Sequence, residues 1–515
     1  MLQINRISKR FAHNHVLKDV TFSLNEGDHV GLVGANGSGK TTLLQIIAGD
    51  LQPDRGSVIT SSGSLIGYLP QDPVAIQAET VADAILLAIN KTNPYPSQEL
   101  SPRQEAEACK LLANLGLGHF ALSTPLRTLS GGEGTRIQLA ALLIQRPEIL
   151  LLDEPTNNLD IPALEWLEEF VNSYTGIVLL ISHDRLFLDH TVTAMFELEE
   201  GRQGIRKFIG NYSTYAELVA QERQKAYELW KDQEAEIKRL RGDWLITAEQ
   251  ARATEKSTRD SKTRRYAKKV AKKGLAKKKR LDRYLESSDR IEKPMDAWRI
   301  NINFAEPEHQ SQQILSMEDL TFGYDGTPLF ENLDLNIRAG QRVALVGANG
   351  TGKSTLLKVL MGQLEASKGT YQWGKSVVLG YMPQKQEDLD PNLTPIEHIQ
   401  AVKGMSLSET YHFLHYFLLD EDHAVLPTSA LSFGQRARLL LARLVAQGAN
   451  FLVLDEPVNH LDIPSREQFE KALEAFSGGM LLVAHDRAFI ARTCDTLWGM
   501  DSGNIHVDVP DEEWM

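Results

Sequence analysis

The stretch VGLVGANGSGKTTLLQIIAG, residues 30 to 49, returns as VALVGANGTGKSTLLKVLMG, residues 343 to 362, an offset of 313. GYLPQ (67 to 71) returns at the same offset as GYMPQ (380 to 384). LSGGEGTRIQLAALL (129 to 143), LLLDEPTNNLD (150 to 160) and LLISHDRLFLD (179 to 189) return as LSFGQRARLLLARL, LVLDEPVNHLD and LLVAHDRAFIA, now offset by 302. Eleven residues are therefore missing between Gln384 and Ser432 relative to the first copy, and nothing else has slipped. Such a long period marks a duplicated domain rather than a short-repeat solenoid.

Within each copy, short apolar runs alternate with amphipathic segments, which predicts α/β domains on mainly parallel sheets. HVGLV reads as a strand ending at Gly34. The next segment carries Leu43, Leu44, Ile46 and Ile47 on a helix that stops at Gly49. Between them, Gly34, Ala35, Asn36, Gly37, Ser38, Gly39, Lys40 and Thr41 fit the pattern G-x-x-x-x-G-K-[ST], followed by Thr42. Glycines let backbone N–H groups turn onto phosphate oxygens, the lysine reaches the β and γ phosphates, and the hydroxyl of Thr41 suits Mg²⁺. Gly347, Ala348, Asn349, Gly350, Thr351, Gly352, Lys353 and Ser354, followed by Thr355, repeat the arrangement. The expected ligand is ATP with Mg²⁺, bound twice.

LLLDE and LVLDE read as buried strands that end in paired acids. The first acid, Asp153 or Asp455, suits Mg²⁺, while Glu154 and Glu456 are placed to polarise an attacking water. His183 and His485 each follow their Asp by thirty residues, after another apolar strand. That repeated spacing favours a γ-phosphate sensor over a structural histidine.

These motifs resemble the ATP-binding cassette (ABC) family. The resemblance implies that Ser130, Gly131, Gly132 and Glu133, and Ser432, Phe433, Gly434 and Gln435, are signature residues. It implies that Gln71 and Gln384 lie near Mg²⁺, that the two histidines are switches, and that two cassettes close head to tail over two ATP molecules. Phe11 and Tyr324, each 23 residues before the first phosphate-loop glycine, would stack on adenine. DEPTNNLD and DEPVNHLD, with SHDRLFLD, GNYSTY (210 to 215) and the charged segment after it, are similar to the ABC-F proteins, twin-cassette ATPases without a membrane domain. Departures from that pattern are Asn158, Val458, Ala484 and Phe433. Phe433 stands where the signature has a glycine, so it bears on the activity of the site it covers.

Residues 216 to 293 carry 23 Lys/Arg and 14 Asp/Glu, a net of +9, within a chain of net charge -13, which leaves -22 elsewhere. The segment is rich in Ala, Glu, Gln, Lys and Arg, and predicts a helix to about Leu245, a polar stretch over 246 to 261, and a second helix to about Asp289, paired as an antiparallel hairpin. SKTRRYAKKVAKKGLAKKKR, 261 to 280, contains eleven Lys/Arg and no acid. Acidic cassettes repel a polyanion and a basic hairpin attracts one, so Arg264, Arg265, Lys268, Lys269, Lys272, Lys273, Lys277, Lys278, Lys279 and Arg280 are expected to face RNA. The ABC-F resemblance implies ribosomal RNA and tRNA at the ribosomal tRNA exit site, with a role in translation or in protecting ribosomes from antibiotics.

The expected architecture is therefore α/β, two phosphate-loop ABC ATPase domains (1–215 and 301–515) joined by a long α-helical hairpin linker (216–300). No run of eighteen apolar residues and no signal-peptide core occurs, and Cys109 and Cys494 are the only cysteines, which predicts a cytoplasmic protein without disulfides; the resemblance implies a monomer whose own two cassettes close on each other. A transporter energy subunit and a DNA-binding ATPase are the competing readings. The fused cassettes joined by a basic hairpin argue against the first, and the lack of a C-terminal coiled coil against the second.

Overall fold

A computed structural model describes residues 1–11, 14–71, 78–90, 97–157, 159–198, 204–256, 261–285, 312–324, 327–383, 389–459 and 461–510. The chain divides into two compact units, Met1–Ser213 with Arg299–Met515, and Thr214–Trp298.

The duplication read from the sequence is a duplication of topology. The first copy has a six-stranded sheet in the order 66–69, 149–153, 177–181, 29–33, 194–197 and 206–209. The second has 379–382, 451–455, 479–483, 342–347, 496–501 and 504–508 in the same order. All neighbours are parallel except the last pair. Ile149–Asp153, Ile177–Ile181, Phe451–Asp455 and Gly479–Val483 are buried along their whole length. Their continuous Leu, Ile and Val runs are what a parallel strand covered on both faces requires. A three-stranded antiparallel sheet completes each copy, with Leu2–Phe11 between Asn14–Leu24 and Arg55–Thr60, and Gln313–Tyr324 between Thr327–Arg338 and Lys368–Trp373.

The phosphate loops sit where a central strand gives way to a helix. Lys40–Ala48 is preceded by Gly39 at φ 97° and Lys353–Leu360 by Gly352 at φ 105°, a left-handed conformation that glycine adopts without penalty. At Gly34 a Cβ would stand 2.3 Å from the Leu198 carbonyl oxygen, and at Gly347 2.3 Å from that of Met500. Only glycine fits where the loop presses on the next strand.

The second unit is a helical hairpin. Its first helix, Tyr212–Lys256, runs about 68 Å at 1.5 Å per residue, and its second, Ser261–Leu285, about 38 Å. The expected break near Leu245 is absent, because ITAEQARATEK continues the helix with residues of high helical propensity. The pairing is antiparallel: Leu281 packs with Ile237 and Leu240, and Lys277 reaches the carbonyl of Asp243 at 3.4 Å and Thr247 Oγ1 at 3.0 Å.

Candidate nucleotide sites and basic hairpin

The strand–loop–helix connection at 33–40, the ends of strands 149–153 and 177–181, and the aromatic at the end of the first strand converge on one cavity of about 430 Å³. It gathers Phe11, Asn36, Gly37, Gly39, Lys40, Thr41, Thr42, Gln71, Asp153, Glu154 and His183, which the sequence places in five separate segments. Gly34, Ala35 and Ser38 belong to the same loop but do not line it. Val16, Asn157 and Ile181 line it and were not singled out by the sequence reading. Lys40 Nζ lies 2.8 Å from the Gly34 carbonyl oxygen and 3.2 Å from that of Ala35, curled over its own loop. In the second copy Lys353 Nζ makes the same bonds to Gly347 and Ala348 at 2.7 and 2.8 Å. Burial holds both lysines below their ordinary pKa, against the pull of nearby acids.

Glu154 and Glu456 are the first residues past their strands, and both are forced to positive φ, 53° and 50°. Each backbone N–H is anchored at 2.9 Å on the next strand, to Ile181 and Val483. Backbone strain of this kind is held where the surrounding structure over-determines it. Burial, and then the neighbouring Asp153, push the Glu154 carboxyl up to about 7, with Lys40 and Arg466 opposing. A carboxylate so placed can take up a proton near neutral pH. His183 Nε2 lies 3.2 Å from Glu154 Oε1, and the His183 backbone N–H donates to Oε2 at 3.2 Å. In the second copy His485 Nε2 stands 3.7 Å from Glu456. Burial, followed by Lys353, brings the His485 pKa down to about 4.

Ser354 Oγ donates to Asp455 Oδ1 at 3.3 Å, and Thr41 and Asp153 share the first cavity. Hydroxyl and carboxylate oxygens are hard donors of the type Mg²⁺ takes when substrate phosphates and water supply the rest. Among the described residues no three His, Cys, Asp or Glu side chains gather as a metal cage. Gln384 lies outside the described residues. Tyr324 stacks edge-on against Phe322 and is largely exposed, as is Phe11.

The signature residues begin helices. Ser130 and Ser432 are N-caps with reciprocal capping by Glu133 and Gln435, so the exchange of Gly131 for Phe433 leaves the helix N-terminus intact. A Cβ at Gly131 would meet nothing within 4 Å. The Phe433 ring packs against its own core and beneath Arg436.

The copies meet through equivalent contacts made twice. Asp160 caps its helix through Ala163 N at 3.2 Å and accepts the Asn349 backbone N–H of the other phosphate loop at 2.9 Å. Asp462 caps through Ser465 N at 3.0 Å and accepts from Asn36 N at 3.2 Å. Arg185 pairs with Glu470 and Arg487 with Glu168, all buried. Each copy thus offers the other the same residues in exchange. Asp160 and Asp462 close the DEPTNNLD and DEPVNHLD motifs, and their recurrence at the 302 offset is the sequence signal that marks them.

A profile of the family described as "ABC transporter" matches residues 17–157 and 330–459. The putative ATP-binding protein YdiF of Bacillus subtilis is 34% identical over all of this chain and 82% of its own length. ABC transporter F family member 2 of Arabidopsis thaliana is 32% identical over 98% of this chain and 77% of its own. The chain belongs to the ABC-F subfamily of ATP-binding cassette proteins. This ABC-F protein is an ATPase. Among solved structures, an archaeal ribosome recycling factor, aABCE1, in complex with a ribosomal stalk protein shares its fold, with a TM-score of 0.63 at 19% identity over 97% of this chain and 88% of that one. No described helix of the ABC-F chain is long and apolar enough to cross a membrane.

On the hairpin, Lys268, Lys269, Lys272, Lys273, Lys279 and Arg280 are exposed. Lys277 is engaged within the hairpin by the bonds to Asp243 and Thr247, and Lys278 lies over the Trp244 ring at 5.8 Å. The side chains of Arg264 and Arg265 lie outside the described residues.

Proposed function

We propose that this ATPase is a ribosome-binding factor: ATP closes the two cassettes, and the closed protein binds at the ribosomal tRNA exit site with its basic hairpin on ribosomal RNA or tRNA. Residues 1–215 and 301–515 act as the cassettes and 216–300 as the RNA-contacting element. ATP on the loop Gly34–Thr41 is closed by the signature at Ser432–Gln435, and ATP on Gly347–Ser354 by Ser130–Glu133. Thr41, Gln71 and Asp153 would hold Mg²⁺ in one site and Ser354, Gln384 and Asp455 in the other, where the ion would supply charge neutralisation to the phosphate chemistry. Glu154 and Glu456 take the proton of the attacking water, and His183 and His485 report the γ-phosphate to the opposite cassette.

The separation of charge carries the ribosome reading: +9 on residues 216 to 293 against -22 elsewhere. A polyanion is attracted by one part and repelled by the other, which orients the protein. The kinship in fold with a ribosome recycling factor agrees. Replacing Lys268, Lys269, Lys272, Lys273 and Lys279 with Gln should weaken binding to ribosomes and flatten its salt dependence, with ribosome-free ATPase activity retained. Binding unchanged across a salt series of sedimentation runs would leave the basic run a solvated face. Ribosome protection against antibiotics is the form of this activity that growth of a sensitive host, with and without the chain, reads out.

A further inference from the structure

In each cassette the loop after the catalytic glutamate is tied to the loop carrying the switch histidine, and the two ties differ in chemistry. In the first, Thr156 Oγ1 lies 3.0 Å from Ser182 Oγ, and Ser182 Oγ accepts the Asp184 backbone N–H at 3.0 Å. The counterparts 302 residues on are Val458 and Ala484, both buried, so neither end of that bond exists in the second cassette. Arg466 stands in their place. It is buried, its guanidinium donates to the Asp486 carboxylate, and its Nη2 lies 3.4 Å from the Val458 carbonyl oxygen. The first-cassette counterpart of Arg466 is Leu164. Three departures between the copies are thus one exchange, a hydroxyl pair for a guanidinium.

The exchange reaches the other cassette. Asp184 and Asp486 each follow a switch histidine and cap the next helix, at 3.0 Å from Phe187 N and 2.9 Å from Phe489 N. Both are buried at the interface where those helices, Arg185–Thr191 and Arg487–Thr493, pack on each other. Asp184 feels the repulsion of Asp486 and the attraction of Arg466 and Arg487. Arg487 is committed to Glu168 and Arg185 to Glu470, while Arg466 is bonded to Asp486 and attracts Asp184 as well.

We propose that Arg466 is a positioning residue for ATP hydrolysis. Through Asp486 and Val458 it holds the second switch loop against the loop after Glu456, and it is the shared counter-ion that lets Asp184 approach. Both switches then depend on one side chain of the second cassette, a link that a symmetric pair of hydroxyl ties would not make.

The inference rests on the assignment of Glu154 and Glu456 above, for which the double Glu→Gln protein is the control. If that protein hydrolyses ATP, the assignment fails, whatever Arg466 does. In a Glu154→Gln background only the site served by Glu456 turns over. There Arg466→Leu, made together with Asp486→Asn so that no carboxylate is stranded, should lower kcat about tenfold, the scale of one lost hydrogen bond. KM for ATP should change less than about twofold, since the tie makes no contact with nucleotide. Adding Val458→Thr and Ala484→Ser rebuilds the hydroxyl tie and should return kcat to within about threefold of the parent. A purely structural role would shift the thermal midpoint without answering to the hydroxyl pair. An unchanged kcat, or a loss that the hydroxyl pair leaves in place, overturns the proposal. If the combined variant does not fold, Arg466→Lys decides: it keeps the charge but lacks the planar fork, and an unaltered kcat would overturn the proposal while a lowered one supports it.

Discussion

Glu470→Ala should uncouple ATP binding from closure of the two cassettes. The Arg185 and Glu470 side chains are 6% and 2% exposed and meet across the interface, so the modest value of a surface ion pair does not apply. Removing one member of a buried pair costs about 3 to 5 kcal/mol, because the partner is left charged and desolvated. Part of that cost falls within the second cassette, since Arg492 also uses Glu470, at 3.1 Å. The lower end, about 3 kcal/mol, is therefore assigned to closure, which corresponds to about 150-fold in the closed population. The assay is energy transfer between labels on the two cassettes, titrated with ATP in the Glu154→Gln, Glu456→Gln background. Because two ATP molecules drive one closure, the ATP midpoint should move by about the square root of that factor, roughly tenfold upward, and exchanging the charges, Arg185→Glu with Glu470→Arg, should restore most of it. A Glu470→Ala protein that closes at the parent's ATP concentration would refute the reasoning.

Three further outcomes follow. Asp184, pushed up to about 6 by burial and then by Asp486, lies above its unfolded value near 3.8, so its penalty is absent below about pH 4 and complete above about pH 6. Asp184→Asn keeps the helix cap and should stabilise the protein against denaturant by up to about 3 kcal/mol at pH 8, a gain that fades as pH falls to 4; a gain independent of pH would count against it. Phe433→Gly in a Glu456→Gln background should raise turnover at the site of Lys40 and Glu154, on the order of tenfold, by letting backbone approach phosphate; an equal or lower rate would show that Phe433 is not what slows it. Asp160→Ala should cost about 1 kcal/mol of stability through the lost cap and should also weaken ATP-driven closure, because the same carboxylate receives Asn349 N; loss of stability with closure intact would contradict the second role.

The topology was legible because each copy repeats its motifs in one order, at an offset of 313 and then of 302, and the strand runs ILLL and FLVL that precede the two aspartates are apolar, as buried parallel strands must be. Most residues of the first cavity were legible for the same reason; Val16, Asn157 and Ile181 were not, because none is a motif residue type with its own chemistry. What the sequence hid was geometry across the interface. Arg185 and Glu470 are 285 positions apart, and no periodicity joins them. The left-handed backbone at Glu154 and Glu456 was equally hidden, since glutamate carries no preference for it and the strain is imposed by neighbouring strands. Val458 and Ala484 read as separate oddities until the Thr156 and Ser182 hydroxyls proved to be partners. At the linker, propensity was outweighed by a polarity argument: 246 to 256 looked like a break, yet polar residues with strong helical preference extend a helix.

The central claim is that nucleotide-driven closure of the cassettes creates the ribosome-binding form. Sedimentation of the Glu154→Gln, Glu456→Gln protein through sucrose with ribosomes, once with ATP and once with ADP, tests it directly. The account predicts stoichiometric pelleting with ATP and almost none with ADP, diminished by added salt as phosphate contacts require. Equal pelleting with both nucleotides, or none with either while ATP remains bound, would contradict it.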